Sequence, residues 1–142
     1  MGLKENILTR SIYVFHMSSG SCNNCDIEII DCLTPRYDIE RFGIVLVGSI
    51  RHADAMLCTG STNRQCVPRI KKLYDQMPKP GFVIAWGACG CSRGLFKDSY
   101  NTLDPLDEII PVDAYIPGCP PRPEAVIAAL AKLINKIRGV KI

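Results

Sequence analysis

Cysteine is the residue type in this chain whose number and spacing could do chemistry. Eight of its 142 residues are cysteines, well above ordinary usage. In a chain of this size without a secretion signal, such an excess indicates metal or redox chemistry rather than a disulfide framework. The thiols are those of Cys22, Cys25, Cys32, Cys58, Cys66, Cys89, Cys91 and Cys119.

Five of these thiols lie in three predicted loops of small residues, each of which follows an apolar run typical of a buried strand. Cys22 and Cys25 form a C-x-x-C pair after the first run. Cys89 and Cys91 follow the fourth run, and Cys119 follows the fifth. In an open parallel sheet the C-terminal ends of the strands share one edge, where ligands bind. Topology alone therefore predicts that these distant segments meet.

Short apolar runs that alternate with amphipathic segments predict the elements that position these thiols. The expected architecture is α/β: a flavodoxin-like, three-layer domain with a mainly parallel sheet. Strands are predicted over residues 12–16, 44–47, 55–58, 82–86 and 113–116. Helices are predicted over 26–33, from Ser61 or Thr62 to about 76, and over about 122–138. Ile27, Ile30 and Leu33 recur at helical spacing in the first helix, and residues 92–111 are expected to be irregular.

Length and charge limit the classes of function. We expect a single domain over residues 1–142, with a short N-terminal arm of about residues 1–10. The net charge is only +3 and no basic stripe is present, which argues against nucleic-acid binding. No apolar stretch is long enough to span a bilayer and no signal peptide precedes the first strand. We therefore expect a cytoplasmic protein that reaches a membrane only through partners.

The thiol spacing alone leaves three kinds of site open. A [4Fe–4S] cluster is held by four cysteines, and a zinc ion that stabilises an interaction module can also take four thiolates. Cys22 and Cys25 could instead form a thioredoxin-like dithiol. Zinc sites usually combine two close pairs, whereas here one pair joins scattered single cysteines. The spacing therefore favours an iron–sulfur cluster without excluding the other two.

The remaining cysteines have simpler explanations. Cys32 and Cys58 are expected to pack as small core hydrophobes, and Cys66 is expected to be structural. A four-iron cluster needs only one of Cys89 and Cys91, and their spacing does not choose between them. His16 ends the first predicted strand and is expected to be a packed residue rather than a ligand.

Several ordered motifs resemble one family. The chain is similar to the small, cluster-bearing subunit of group 4 energy-converting membrane-bound [NiFe] hydrogenases of the Ech and CO-dehydrogenase-linked types. It is also similar to the related 20 kDa subunit of respiratory complex I. The motifs are Ser21-Cys-Asn-Asn-Cys-Asp-Ile-Glu, Pro35-Arg-Tyr-Asp-Ile-Glu-Arg-Phe-Gly, Gly87-Ala-Cys and Pro117-Gly-Cys-Pro-Pro-Arg-Pro-Glu.

The resemblance implies a set of site residues. It implies one [4Fe–4S] cluster on Cys22, Cys25, Cys89 and Cys119, with Cys91 as the alternative to Cys89. Glu28 matches a family acid beside the cluster and is assigned a role in proton transfer or subunit contact. The large-subunit interface or the cluster environment is assigned to Arg36, Arg41, Arg93 and Arg122. Arg93 also departs from the family, in which glycine is commoner at that position.

The resemblance also implies partners and a task. The chain would relay electrons from a ferredoxin-like iron–sulfur subunit to the nickel–iron site of a large subunit, which reduces protons to H₂. It would not be catalytic on its own, and membrane subunits would hold it at the inner face of the cell membrane. Complex I relatives typically have adjacent cysteines in the first motif, so the C-x-x-C spacing favours the hydrogenase branch. The cluster-bearing subunit of a complex I-like, quinone- or sulfur-reducing assembly is the alternative.

Overall fold

The computed structural model describes residues 10–137, with the side chains of residues 136 and 137 excepted. Apart from Arg10, the predicted N-terminal arm lies outside the described residues, as does the predicted end of the last helix at residue 138. The single domain over residues 1–142 accordingly stays a prediction.

The described residues form a five-stranded sheet in which every neighbouring pair is parallel. The strand order is β2-β1-β3-β4-β5, which is the flavodoxin order. The predicted α/β fold with a mainly parallel sheet is therefore confirmed. The strands are β1 (Ile12–Ser18), β2 (Ile44–Val47), β3 (Ala55–Thr59), β4 (Phe82–Trp86) and β5 (Ala114–Ile116).

Helices cover both faces of this sheet. They are α1 (Asn24–Leu33), α2 (Val67–Gln76), α3 (Gly87–Ser92), α4 (Leu106–Ile109) and α5 (Pro123–Ile137). Every residue of β3 is buried, and its side chains alternate between two apolar cores. Leu57 joins the core beneath α1 and α5, whereas Met56 joins the core beneath α2 and α4. The sheet and the helical layers on its two faces form the expected three-layer arrangement.

Helix α1 buries a different face from the one that its isoleucine repeat marks. Ile27 and Ile30 are 54% and 63% exposed, whereas Ile29 is 4% exposed and Cys32 is fully buried. Cys25, Ile29 and Cys32 form a second stripe at helical spacing, and Cys25 also packs against the core. Two stripes of similar length compete in this sequence, and tertiary packing selects the one that contains a thiol.

Helix α2 starts at Val67, so the predicted start at Ser61 or Thr62 is wrong. Both of these residues are buried in the segment that follows β3. The Thr62 hydroxyl donates to the Asp104 carbonyl at 2.6 Å instead of capping a helix. Asn63 Oδ1 accepts the Cys66 N–H at 2.8 Å and so stabilises the turn that leads into the helix.

The expectation of irregular structure over residues 92–111 is wrong in part. A short 3₁₀ helix covers Gly94–Phe96, and α4 covers Leu106–Ile109. Leu106 and Ile110 are buried in the core beneath α2. Their apolar side chains, rather than any long amphipathic repeat, fold this segment back onto the sheet.

A matched pair of substitutions tests which face of α1 is buried. We expect Ile29→Ala to lower the free energy of unfolding by about 2–4 kcal/mol, because it leaves a cavity in the core. Ile30→Ala should change it by less than about 0.5 kcal/mol, since that side chain is mostly exposed. Equilibrium urea unfolding of the purified chain under reducing, anaerobic conditions measures both. Equal losses for the two variants would contradict this orientation of α1.

Candidate metal centre

The C-x-x-C pair lies in the segment that leaves the C-terminal end of β1. The Ser19 hydroxyl donates to the Thr59 carbonyl at 2.9 Å, which ties this segment to the end of β3. Gly20 has φ +128, and a Cβ there would lie 2.7 Å from the Ser61 carbonyl oxygen. Because glycine has no Cβ and tolerates this φ, the chain can pass close over the edge of the sheet at Gly20 before α1 begins.

The other two thiol-bearing segments leave β4 and β5 side by side. The prediction that Cys89 lies on a loop is wrong. The residue lies on the short helix α3, which starts directly after β4. The Ala88 N–H donates to the Gly118 carbonyl at 2.7 Å, so the segment of Cys89 is bonded to the segment of Cys119. Cys22 and Cys119 are exposed, whereas Cys25 and Cys89 are partly buried.

The structure brings these thiols within electrostatic reach of one another. Burial is the largest cause that raises the pKa of Cys25 to about 11, followed by the charges of Cys22 and Cys89, with smaller contributions from Asp26 and Cys119. The pKa of Cys89 is raised by burial, then by Cys119 and Cys22. A site that gathers mutually repelling thiolates is suited to a cationic partner, which would lower every one of these pKa values.

Glycine backbone makes room for two of the thiols. A Cβ on Gly87, which has φ +84, would lie 2.8 Å from Cys25 Sγ. A Cβ on Gly94 would lie 3.4 Å from Cys89 Sγ. The thiols therefore sit directly against main chain, where amide groups can approach sulfur atoms closely.

The donor set at this edge of the sheet is four thiols. Among residues 10–137, no group of three His, Cys, Asp or Glu side chains is arranged as the ligands of a metal ion. Four thiolates are the usual ligands of a [4Fe–4S] cluster, so the residues present fit that group. Four thiolates also suit a structural zinc ion.

Cys91 points away from this group. Its thiol donates to the Ala85 carbonyl at 3.6 Å, and its side chain packs against the core beneath α2. Burial raises its pKa most, a hydrogen bond with the Ile116 backbone lowers it, and the charges of Asp107 and then Cys89 raise it further. The geometry therefore favours Cys89 over Cys91 as the partner of the other three thiols.

The other cysteines lie in the two cores. Cys32 and Cys58 are 0% and 1% exposed, as expected for small hydrophobic residues. Burial raises the pKa of Cys32 to about 11 and that of Cys58 to about 12. Cys66 is partly buried against the core beneath α2. These three thiols lie within the cores and take no part in the group at the sheet edge.

The four arginines assigned by resemblance are placed differently. Arg93 directly follows α3, its N–H donates to the Cys89 carbonyl at 2.9 Å, and it has φ +66. Its Nε is buried and has no hydrogen-bond partner among residues 10–137. Arg36, Arg41 and Arg122 are exposed. The Arg36 guanidinium lies 5.4 Å from the centroid of the Tyr37 ring, and Arg41 Nε lies 3.3 Å from Asp38 Oδ2.

Glu28 lies on α1, three residues after Cys25. Its Oε2 is buried and has no hydrogen-bond partner within the described residues. Its charge is the largest electrostatic contribution that raises the pKa of Cys32, after burial. The carboxylate therefore points toward the interior rather than away from the protein, and its role stays a prediction.

One polar cluster beside the thiols was not predicted from the sequence. His16, Asp26 and Thr59 come from three separate elements and are joined by hydrogen bonds. Their proximity depends on strand register, which no local pattern shows. The only signal in the sequence is a histidine in the first strand and an acid directly after the C-x-x-C pair.

Comparison with known proteins gives the family. The sequence profile of the family described as "NADH ubiquinone oxidoreductase, 20 Kd subunit" matches residues 22–133. The chain belongs to this family. The resemblance found in the sequence is thereby confirmed, and so is the prediction that the chain is a subunit of an oxidoreductase complex.

Two relatives of the chain are named as subunits of different complexes. The chain is 58% identical over 134 residues to the Pyrococcus furiosus protein named "Probable membrane-bound hydrogenase subunit mbhJ", with 92% of this chain and 80% of that protein covered. It is 42% identical over 146 residues to a subunit of the NADH-quinone oxidoreductase of Citrifermentans bemidjiense, with 95% and 84% covered.

A solved structure shares both fold and sequence with the chain. A chain of the membrane-bound sulfane sulfur reductase (MBS), an archaeal respiratory membrane complex, superposes with a TM-score of 0.86 at 38% identity. The match covers 96% of this chain and 76% of that one. Among residues 10–137, no helix is both long and apolar enough to cross a membrane.

The raised pKa of Cys25 gives a measurable pH dependence. In the cluster-free folded chain, we expect alkylation of Cys25 to reach half its maximal rate near pH 11, because only the thiolate reacts. In urea the midpoint should fall to about pH 8.5, the value of an unperturbed thiol. Iodoacetamide labelling followed by mass spectrometry of the Cys25 peptide measures both. A folded-state midpoint equal to that in urea would contradict the buried, crowded position of this thiol.

Proposed function

We propose that this chain is the electron-transfer small subunit of an energy-converting [NiFe] hydrogenase. It holds one [4Fe–4S] cluster and passes electrons from a ferredoxin-like subunit to the nickel–iron site of a large subunit, where protons are reduced to H₂. The observation that carries the proposal is the convergence of Cys22, Cys25, Cys89 and Cys119 at one sheet edge. When bound, the cluster supplies a one-electron carrier, which the chain's own side chains do not provide.

The residues around the thiols suit a negatively charged cluster. Four thiolates outweigh the positive charge of an oxidised cubane, and reduction adds a further negative charge. Burying such charge is costly unless amides and cations compensate. Arg93 is well placed to do so, because it is bonded through its main chain to Cys89 and its Nε has no partner among the described residues. We assign it to the cluster environment.

The exposed thiols and the exposed face of α1 indicate where partners dock. Cys22 and Cys119 lie at the surface, so a neighbouring protein can approach the cluster closely. Ile27 and Ile30 present large apolar side chains on the helix that follows the C-x-x-C pair. Exposed apolar groups of this kind mark contact surfaces in proteins that work in complexes. We assign this surface to the large subunit that carries the nickel–iron site.

The remaining assignments follow the same proposal. Arg36, Arg41 and Arg122 are exposed and are assigned to subunit contacts. Glu28, whose Oε2 is buried one turn from Cys25, is assigned to proton movement or subunit contact near the cluster. Membrane subunits of the complex would hold the chain at the inner face of the membrane. The relative named as a membrane-bound hydrogenase subunit supports attachment to a membrane-bound complex.

A second candidate is the same electron-transfer role in a sulfur- or quinone-reducing complex. The structural match to a chain of a sulfane sulfur reductase and the similarity to a NADH-quinone oxidoreductase subunit favour it. The two candidates differ in the acceptor, which lies outside this chain. The purified complex, supplied with reduced ferredoxin, should evolve H₂ if the first candidate holds. Reduction of polysulfide or quinone without H₂ would establish the second.

The ligand set is tested by single substitutions in the complex. We expect Cys22→Ser, Cys25→Ser, Cys89→Ser and Cys119→Ser each to lower cluster occupancy by at least about tenfold, because a ligand loss exceeds the usual effect of losing an outer partner. Iron and sulfide analysis, together with the EPR signal of the reduced, anaerobically purified complex, measures occupancy.

Cys91→Ser provides the matched control for that series. It changes a thiol two residues from Cys89 that is bonded to the Ala85 carbonyl, so occupancy should stay at the wild-type level. Loss of the cluster in Cys91→Ser with retention in Cys89→Ser would show that the third ligand is Cys91. Zinc without iron in the wild-type protein would replace the cluster by a Cys₄ zinc site.

A further inference from the structure

A hydrogen-bonded set of three side chains lies directly beside Cys25. His16 Nε2 lies 2.9 Å from Thr59 Oγ1 and 3.0 Å from Asp26 Oδ1. The Thr59 hydroxyl donates to the same carboxylate oxygen at 2.7 Å. His16 lies on β1, Thr59 ends β3, and Asp26 lies in the first turn of α1. We call this set the His16–Asp26–Thr59 triad.

With Asp26 ionised, the hydrogen-bond pattern assigns the donors and acceptors of the triad. An ionised carboxylate only accepts hydrogen bonds, and a hydroxyl has a single hydrogen to donate. Since the Thr59 hydrogen goes to Asp26, Thr59 Oγ1 can only accept from His16. His16 Nε2 therefore carries a hydrogen, which it shares between the hydroxyl and the carboxylate. The three atoms are thus linked pairwise, and the side chains of His16 and Asp26 are only 24% and 19% exposed to water.

The triad connects α1 to the two central strands. β1 and β3 are neighbours in register, with His16 opposite Leu57 and Ser18 opposite Thr59. Asp26 immediately follows Cys25 in the chain. The bonds to Asp26 therefore fix the first turn of α1, and with it Cys25, to strands that are themselves fixed by the sheet.

Helix α1 begins without a side-chain cap among the described residues. Its N-cap residue, Asn23, makes no capping hydrogen bond with its side chain and has φ +75. A helix usually gains stability and a fixed first turn from such a cap. Here the Asp26 carboxylate supplies the fixed point from within the first turn, and it does so through tertiary bonds rather than a local one.

We propose that His16, Asp26 and Thr59 are positioning residues that hold Cys25 in place for the cluster and so set how firmly the cluster is retained. The inference rests on the proposed function and extends it to three residues that bind no iron. Outer partners that orient metal ligands commonly change metal affinity by 10–100-fold when they are removed.

The test uses the anaerobically purified complex and two variants that break the triad. Thr59→Val removes the hydroxyl while it keeps the shape of a buried side chain, and Asp26→Asn removes the charged acceptor. We expect iron to be released to a chelator at least about tenfold faster than from the wild type. We also expect altered g values or broader lines in the EPR spectrum of the clusters that remain, since Cys25 would no longer be held in one position.

Two further variants serve as controls. Thr59→Ser restores the hydroxyl and should return both the release rate and the EPR spectrum to wild-type values. Asp31→Asn removes an acid from the same helix outside the triad and should leave both unchanged. A loss of stability alone would not alter the spectrum of the retained clusters, so the spectrum separates positioning from folding.

Three outcomes would overturn the inference. Wild-type release rates and an unchanged spectrum in Thr59→Val and Asp26→Asn overturn the positioning role and leave the proposed function intact. Failure of Thr59→Ser to restore the wild-type values also overturns it. A wild-type complex in which this chain holds no iron overturns the proposed function, and this inference with it.

Discussion

The register of the parallel sheet is the constraint on which the site depends. Ser18, Thr59, Trp86 and Ile116 are successive partners across β1, β3, β4 and β5, so they form one row at the edge of the sheet. Cys89 and Cys119 each follow their row member by three residues. Cys22 and Cys25 follow Ser18 after a segment that is bonded back to Thr59. A slip of one residue in any pair would move a thiol-bearing segment along the sheet and change which face its side chains meet.

Main-chain contacts then carry that alignment from the strands to the thiols. The hydrogen bond between Ala88 and Gly118 joins the two segments that bear Cys89 and Cys119. The missing side chain of Gly87 leaves the space that Cys25 Sγ occupies. Each thiol is thus placed by backbone that is itself placed by the sheet. Such rigidity would suit the proposed electron-transfer role, because a carrier that changes charge works best in surroundings that need little rearrangement.

The sequence was sufficient to predict the fold and most of the grouping of the thiols. Strands of a parallel sheet are buried on both faces, so they appear as short apolar runs, and all five predicted strands were found within about two residues. The convergence of their C-terminal ends follows from topology without any knowledge of side-chain contacts. Spacing alone did not choose between Cys89 and Cys91, and the preference for Cys89 came from the family resemblance. The structure adds support for Cys89, because the Cys91 side chain points from α3 toward the core beneath α2.

The errors have a common physical origin in tertiary contacts that override local signals. Ser61 and Thr62 are residue types that often cap helices. The Thr62 hydroxyl instead donates to a carbonyl more than forty residues away in the chain. The glycine-rich run after β4 resembles a loop because glycine weakens helices, yet Gly87–Ser92 closes into a short helix beside β5. The first helix offers two stripes, and packing selects one. The polar triad was missed for the same reason, since its members meet only through strand pairing.

The burial pattern of the thiols bears on how a partner could influence the proposed cluster. Cys25 and Cys89 lie partly inside the domain, whereas Cys22 and Cys119 are exposed. Under the proposed function, the domain would supply one side of the environment of the cluster, and the protein that docks there would supply the other. Because desolvation and nearby dipoles set the potential of such a cluster, part of that potential would be determined by the partner. This division of roles is consistent with the names of the relatives, which belong to a hydrogenase, a NADH-quinone oxidoreductase and a sulfane sulfur reductase.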